Sequence, residues 1–262
     1  MRPDSTNDEK MPLLDHLAEL RRRLIYCFVG VLLAFIVCYT VADELYNFLV
    51  RPLADITAND PGRRMIFTGL HEAFFTQIKV AFFGAVFITF PIVAVQVWRF
   101  VGPGLYKTEK RAFLPFLIGT PLLFILGASV AYYIVIPLAW RFFIGFEQPS
   151  GDGILAMQLE PKVDEYLSLV MRLILAFGIC FELPVFILLA TQIGLTNSLS
   201  LKKKRKYAIL ISFVVAAVIT PPDVISQIML AVPVIILYEL SILFSMLIER
   251  RSKSDKTETS LG

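Results

Sequence analysis

Long uncharged apolar runs alternate with charged segments along the whole chain. The first run, Leu24 to Ala42, holds no charged residue over 19 positions, enough for one helical crossing of a hydrocarbon core about 30 Å thick. Further largely apolar runs cover 80–98, 112–140, 166–193, 207–220 and 224–247. The pattern predicts six transmembrane helices in one polytopic domain spanning 1–262, with a flexible charged tail at 249–262.

The runs differ in length, and the differences predict local geometry. The run 112–140 is uncharged for 29 residues, so this helix is expected to tilt or kink, and its prolines supply places to bend. The run Tyr207 to Thr220, which follows the basic segment 202–206, has only 14 residues, and 224–238 has 15 uncharged residues. The last two helices are therefore predicted to be short, and 43–75 to be a structured loop.

Composition supports a membrane protein rather than a soluble domain. Hydrophobic residues make up 56% of the 262 positions and charged residues 18%, whereas soluble domains average about 45–50% and about 25%. The apolar residues occur in long runs, not in the alternating segments of about ten residues that form a β-barrel. An all-α integral membrane protein is the predicted fold class.

Basic residues are distributed unevenly between alternate loops. Eighteen Lys and Arg residues lie in the N-terminal segment, the 99–111 loop, the 202–206 loop and the tail, against five in the other loops. Cytoplasmic loops carry the excess of basic residues in membrane proteins. Both termini are therefore predicted to be cytoplasmic.

Several kinds of chemistry have no support in the sequence. There is no GxxxxGK[ST] phosphate loop, HExxH or CxxC motif, and His16 and His71 are expected on opposite sides of the membrane. Nothing places a serine near either histidine. We therefore predict no catalytic residue, metal site or cofactor, and no nucleic-acid partner.

A charged amphipathic helix, Leu13 to Arg23, precedes the first run. Leucines at 13, 17, 20 and 24 form one stripe at about 100° per residue, while Glu19 points away from it, near His16 and Arg23. One interpretation is that Glu19 neutralises Arg22 and Arg23 at i+3 and i+4. The other is that its carboxylate binds a ligand at the membrane surface.

A second carboxylate, Glu182, lies near the middle of the fourth run. Pro184 removes a backbone hydrogen bond to the Cys180 carbonyl, which loosens the helix there. Ionisable groups inside a membrane are functional candidates by default, although a hydrogen bond to a neighbouring helix is the structural alternative. Arg172 is about 15 Å away along the helix, too far to pair with Glu182. Thr220 and Gln227 can bond either a partner helix or each other.

Four stretches in order resemble the TatC family of the twin-arginine protein translocase. They are HLAELRRRL at 16–24, QVWRFVGPGLYKTEKR at 96–111, FGICFELPV at 177–185 and ITPPDVISQ at 219–227. The resemblance implies a receptor for signal peptides with consecutive arginines, which nucleates export of folded proteins driven by the proton-motive force. It also implies TatA-like and TatB-like single-span partners, a homo-oligomer within the receptor complex, and contact with membrane lipids.

The same resemblance implies roles for particular residues. Glu19 and Glu109 match the carboxylates that bind the arginines, since a guanidinium pairs bidentately with a carboxylate and a lysine does not. The other residues implied at that site are Arg21, Phe100, Pro103, Leu105, Tyr106 and Lys107. Glu182 matches an intramembrane polar site. Thr220, Asp223 and Gln227 match a surface for partner helices, and Pro52 the first external loop.

Two other functions compete with this prediction. A proton-coupled small-molecule transporter would use Glu182, but such transporters are typically built from repeats with broken helices in each half, and no internal repeat is visible. A scaffold that only gathers single-span helices would be indifferent to Arg-to-Lys changes in its substrate.

Overall fold

The structure, a computed structural model, describes residues 13–58, 62–101, 110–148, 157–220 and 224–259, which form ten α-helices and one π-helical turn. Their bounds are α1 Leu13–Thr40, α2 Ala42–Ile56, α3 Glu72–Val101, α4 Lys110–Val130, the π-helical turn Ala131–Val135, α5 Ile136–Ile144, α6 Val163–Cys180, α7 Leu183–Gln192, α8 Ser198–Lys203, α9 Arg205–Ile219 and α10 Val224–Thr259. The only β-pairings in this part of the chain are two isolated bridges, Ile66 with Lys162 and Gln148 with Met157. The all-α prediction is confirmed.

Five segments within the described ranges are long and apolar enough to cross a membrane. They are His16–Thr40, Glu72–Trp98, Phe116–Ile144, Val163–Gln192 and Val224–Glu249. The sixth predicted crossing corresponds to α9, which has 15 residues and a rise of about 22 Å. A multi-pass membrane protein is therefore confirmed, while the count of six crossings and the cytoplasmic position of the termini stay predictions.

Two local predictions differ from the structure. The segment 43–75, predicted as a loop, begins with the 15-residue helix α2, because its apolar side chains share one helical face on which Leu49 and Leu53 are buried. The last helix is not short, since α10 has 36 residues and runs to Thr259. Most of the predicted tail is thus helical, and its flexibility stays a prediction.

Contacts between helices define the two ends of the bundle. At the N-terminal face, where α1 begins, Arg23 on α1 donates to Gln96 near the end of α3, and Glu249 on α10 accepts from Ser198 on α8. At the opposite face, Lys79 near the start of α3 pairs with Asp164 near the start of α6. The α2 helix and the connection from α5 to α6 also lie at the opposite face.

The centre of the fold is the contact between α4 and α6. A Cβ added at Gly178 would come within 2.5 Å of the Phe124 ring, and one at Gly127 within 2.5 Å of the Phe177 carbonyl oxygen. Phe124 and Phe177 are both almost fully buried. The two glycines therefore let the helices approach closely, the packing that small residues allow between membrane helices.

The predicted loosening near Glu182 is present. The chain leaves α6 at Cys180 and enters α7 at Leu183, with Pro184 in the first turn of the new helix. Between them the Glu182 amide donates to the Ile179 carbonyl, three residues back, instead of the carbonyl four residues back. The fourth predicted span is consequently two helical pieces.

Candidate functional site

Glu19 lies at the N-terminal face in contact with Arg23. The Arg23 Nε donates to Glu19 Oε1 at 3.0 Å, and Arg23 Nη2 pairs with the same oxygen. The Glu19 side chain is 25% exposed and that of Arg23 19% exposed, so the pair is partly shielded from solvent. Glu19 Oε2 makes no hydrogen bond within the described part of the chain.

The same arginine ties α1 to α3. Arg23 Nη1 donates to Gln96 Oε1 at 3.2 Å, and one turn further along α3 the Phe100 ring stacks on His16 with centroids 4.3 Å apart. Glu19 thus lies between two contacts that fix the start of α1 against the end of α3. The structure brings together Glu19 and Phe100, which the sequence had assigned to one site.

The neighbouring arginines point elsewhere. Arg22 Nε donates to the Tyr26 hydroxyl at 3.1 Å, so it does not form the predicted ion pair with Glu19. Arg21 is exposed on the outward leucine stripe, where it lines a shallow groove with Leu17 and Leu24. The ion pair with Arg23 is confirmed, whereas Arg21 lies on a different face of α1 from Glu19.

Some residues assigned to this site lie outside the described residues. These are Pro103, Leu105, Tyr106, Lys107 and Glu109, all in the segment 102–109. Asp223, which was assigned to the surface for partner helices, also lies outside the described residues. The described chain ends at Val101 and resumes at Lys110, and Phe100 near the first of these ends stacks on His16. Phe100, which precedes the segment 102–109, therefore lies at the N-terminal face with Glu19.

The intramembrane carboxyl of Glu182 is buried without a hydrogen-bond partner. Neither of its oxygens bonds within the described residues, although the Thr120 hydroxyl on α4 interacts with the carboxyl. Thr120 itself accepts a hydrogen bond of 3.0 Å from Trp98 Nε1 on α3. A polar pocket among α3, α4 and the break before α7 was not predicted, because its members are 22 and 62 residues apart in sequence.

The remaining assigned residues make internal contacts. Gln227 Nε2 on α10 donates to the Phe213 carbonyl on α9 at 3.1 Å, and buried Thr220 donates to Ala216 in the preceding turn. Bonding within the last hairpin, the structural alternative, is therefore present. Pro52 is buried inside α2 and not in an extended loop.

Comparison with known proteins decides the family. The family model described as "Sec-independent protein translocase protein (TatC)" matches residues 15–233. The chain belongs to the TatC family. The four motifs that suggested TatC therefore indicated the family correctly, and the transporter alternative is not supported.

Individual TatC proteins match over nearly their whole length. The Sec-independent protein translocase protein TatC of Magnetococcus marinus is 48% identical over 244 residues, which cover 93% of this chain and 87% of the relative. The Escherichia coli K12 protein of the same name is 39% identical over 238 residues, or 91% and 89% of the two chains. A crystal structure titled "Twin Arginine Translocase Receptor- TatC" superposes with a TM-score of 0.76 at 38% identity, covering 88% of this chain and 98% of that one.

Proposed function

We propose that this chain binds twin-arginine signal peptides at its N-terminal face, with Glu19 and Glu109 as the two arginine-binding carboxylates. It serves as the receptor and core subunit of a twin-arginine translocase, a role that membership of the TatC family supports and that requires no enzymatic step. The observation that carries the residue assignment concerns the Glu19 carboxylate, which is partly shielded and already paired with a guanidinium. Its second oxygen makes no hydrogen bond to any described residue.

The contact with Arg23 supports the choice of arginine over lysine. Two nitrogens of Arg23 converge on Oε1, and its third reaches Gln96, so this surface accommodates a planar fork of donors. An incoming guanidinium can use Oε2 or displace Arg23, whereas a lysine ammonium cannot form the same paired contact. The His16–Phe100 stack offers an aromatic surface beside the site on which a guanidinium can also pack.

Orientation and partners complete the proposal. The excess of basic residues supports a cytoplasmic position for the N-terminal face and both termini. Membership of the TatC family supports a prokaryotic inner membrane. The partners are TatA-like and TatB-like single-span subunits and further copies of this chain. We assign Thr220, Asp223 and Gln227, the polar groups of the last hairpin, to partner docking. We assign Glu182, whose oxygens make no hydrogen bond within the described residues, to an intramembrane contact.

The test is crosslinking of a signal peptide that carries a photoreactive residue beside its arginines. We expect an Arg-Arg peptide to label the wild-type protein strongly and a Lys-Lys peptide weakly. Glu19→Gln should reduce labelling by about tenfold or more, since charge-assisted hydrogen bonds contribute roughly 1.5–3 kcal/mol. Asp55→Asn, which removes an exposed carboxylate on α2 at the opposite face, is the control expected to leave labelling unchanged.

Two outcomes would contradict the proposal. Full labelling of a Glu19→Gln, Glu109→Gln double variant would show that neither carboxylate binds the peptide. Equal labelling by Arg-Arg and Lys-Lys peptides would favour a scaffold without arginine recognition. Correct insertion of each variant is checked by its melting temperature in detergent.

A further inference from the structure

Arg172 is a charged residue in the apolar part of the protein, and peptide recognition at the N-terminal face does not involve it. It is the tenth residue of α6, inside the candidate span Val163–Gln192, and it is exposed. Its side chain makes neither an ion pair nor a hydrogen bond within the described part of the chain. Since an arginine in hydrocarbon is costly, its guanidinium needs a polar group that the described chain does not supply.

The surroundings of Arg172 form a cavity of about 720 Å³ near the opposite face. One wall is aromatic: Trp140 at the end of the third span stacks on Tyr166 with ring centroids 5.0 Å apart. Leu169 extends the apolar wall, and Thr220 at the end of α9 closes the far side. The size and the mixed lining suit a headgroup with the first part of an acyl chain.

Helix geometry directs the guanidinium toward the membrane surface. Side chains in an α-helix tilt toward its N-terminus, which for α6 is the charged end at the opposite face. Ser168 and Glu165 lie four and seven residues before Arg172 on the same face of α6, and both line the cavity. Glu165 is about 10 Å nearer the surface along the helix axis.

The charged side chains of the cavity lie at two depths along the axis of α6. At the shallow level Glu165 pairs with Lys162 at 3.5 Å and Glu160 with Arg64 at 3.8 Å, while their side chains stay 74% and 44% exposed. Asp164 is engaged by Lys79 at 2.5 Å. These exposed pairs are weak, so their carboxylates remain available to another cation. The unpaired positive charge of Arg172 lies below them.

We propose that this cavity, the Arg172 pocket, binds one phospholipid whose headgroup carries both a phosphodiester and a primary amine. The phosphate oxygens accept hydrogen bonds from the Arg172 guanidinium, with the Ser168 hydroxyl as a second donor. The ammonium group, which lies above the phosphate in a bilayer, meets Glu165 and Glu160. The acyl chain packs along Leu169 and Trp140. A headgroup without an amine leaves the upper carboxylates unmatched.

The test is a lipid titration of the delipidated protein followed by native mass spectrometry. With short-chain phosphatidylethanolamine we expect one tightly bound lipid, and Arg172→Gln should weaken that binding at least tenfold. Arg172→Lys keeps the charge without the planar fork, and its lipid affinity should lie between those of the wild type and Arg172→Gln. Arg141→Gln is the matched control, because Arg141 is also exposed and unpaired among the described residues near the same face.

Two further titrations distinguish binding of this phospholipid from binding of another lipid or of free phosphate. Short-chain phosphatidylglycerol should bind several-fold more weakly, and millimolar inorganic phosphate should not displace the bound lipid. Two results with the variants would each overturn the proposal: lipid affinity unchanged in Arg172→Gln, or affinity lost equally in Arg172→Gln and Arg141→Gln. Equal binding of the two lipids by the wild type, or displacement of the bound lipid by phosphate, would also overturn it. Crosslinking of position 172 to a single-span subunit instead of lipid in native membranes would also overturn it.

The folding control uses lipid-free melting temperatures. Arg172→Gln and wild type should melt together before lipid is added, and only the wild type should gain stability from it. If Arg172→Gln does not fold, the lipid titration is carried out with Arg172→Lys instead. If Arg172→Lys binds the lipid as tightly as the wild type does, the requirement for a planar guanidinium is overturned. None of these readouts requires a signal peptide, so the outcome is independent of the function proposed for Glu19.

Discussion

The contact of α1 with α3 and the contact of α4 with α6 are both made by apolar helices, yet they are built differently. Only 6% of the positions in the apolar window of α1 are buried, against 56% in the window formed by α6 and α7. At the N-terminal face α1 is held by the Arg23–Gln96 hydrogen bond and the His16–Phe100 stack. The α4–α6 contact is held by glycines against aromatic rings.

This difference indicates which helix contact can rearrange when a ligand binds and which cannot. A close-packed contact has no room for rearrangement, because the repulsion between atoms rises steeply as their distance shortens. A hydrogen bond or ion pair can be exchanged for an equivalent one with a ligand at small net cost. The peptide site is therefore expected where helices are joined by exchangeable polar groups, as they are around Glu19.

The largest predicted effect tests the close-packed contact. Gly178→Ala places a methyl group 2.5 Å from the Phe124 ring, and overpacking of this kind costs about 1–3 kcal/mol of stability. We expect a clearly lower melting temperature in detergent. Gly30→Ala is the control on α1, where an added Cβ meets nothing within 4 Å. Equal melting temperatures for the two variants would show that α4 and α6 can move apart without loss of stability.

An intermediate effect tests whether Arg23 competes with the ligand. Arg23→Gln removes the guanidinium that occupies Glu19 Oε1, so an Arg-Arg peptide should bind about threefold more tightly, equivalent to roughly 0.7 kcal/mol for a partly exposed ion pair. Fluorescence anisotropy of a labelled peptide measures this change. Arg22→Gln removes a guanidinium that is hydrogen-bonded to Tyr26 and not to Glu19, so it should have a much smaller effect. Weaker binding by Arg23→Gln would mean that Arg23 positions Glu19 instead.

The smallest predicted effect concerns a polar contact at the opposite face. The hydrogen bond from Arg63, with the Leu159 amide, holds the pKa of the Glu147 carboxyl below its ordinary value. A carboxyl with a lowered folded-state pKa stabilises the fold above its unfolded pKa, about 4.3, and that stabilisation is lost as pH falls through the folded value.

Glu147→Gln should therefore melt slightly below wild type at pH 7, and the two melting temperatures should converge in acid as the pH falls through the lowered pKa of Glu147. Asp55→Asn, which removes an exposed pair 3.9 Å long, is the control expected to match wild type throughout. A difference between wild type and Glu147→Gln that persists in acid would assign it to packing and not to charge.

The hydrophobic pattern predicted the helical class and the main apolar runs, because burial in lipid depends on composition over about 20 residues. It also placed Glu19 near His16 and Arg23, since those contacts are set by helical spacing alone. It missed Gln96, which meets Arg23 across 73 residues of sequence. It also missed the role of Gly178, which depends on the aromatic ring that faces it from α4. Such features require knowledge of which helices are neighbours.

The continuity of α1 has a mechanical consequence. One unbroken helix of 28 residues, about 42 Å long, carries both the Glu19 carboxylate and the apolar segment up to Thr40. The height of Glu19 above the hydrocarbon is thus fixed by how deeply that segment inserts, which follows bilayer thickness. Since Gln96 and Phe100 are fixed against α1, the thickness of the membrane sets the height of this whole group of residues above the hydrocarbon.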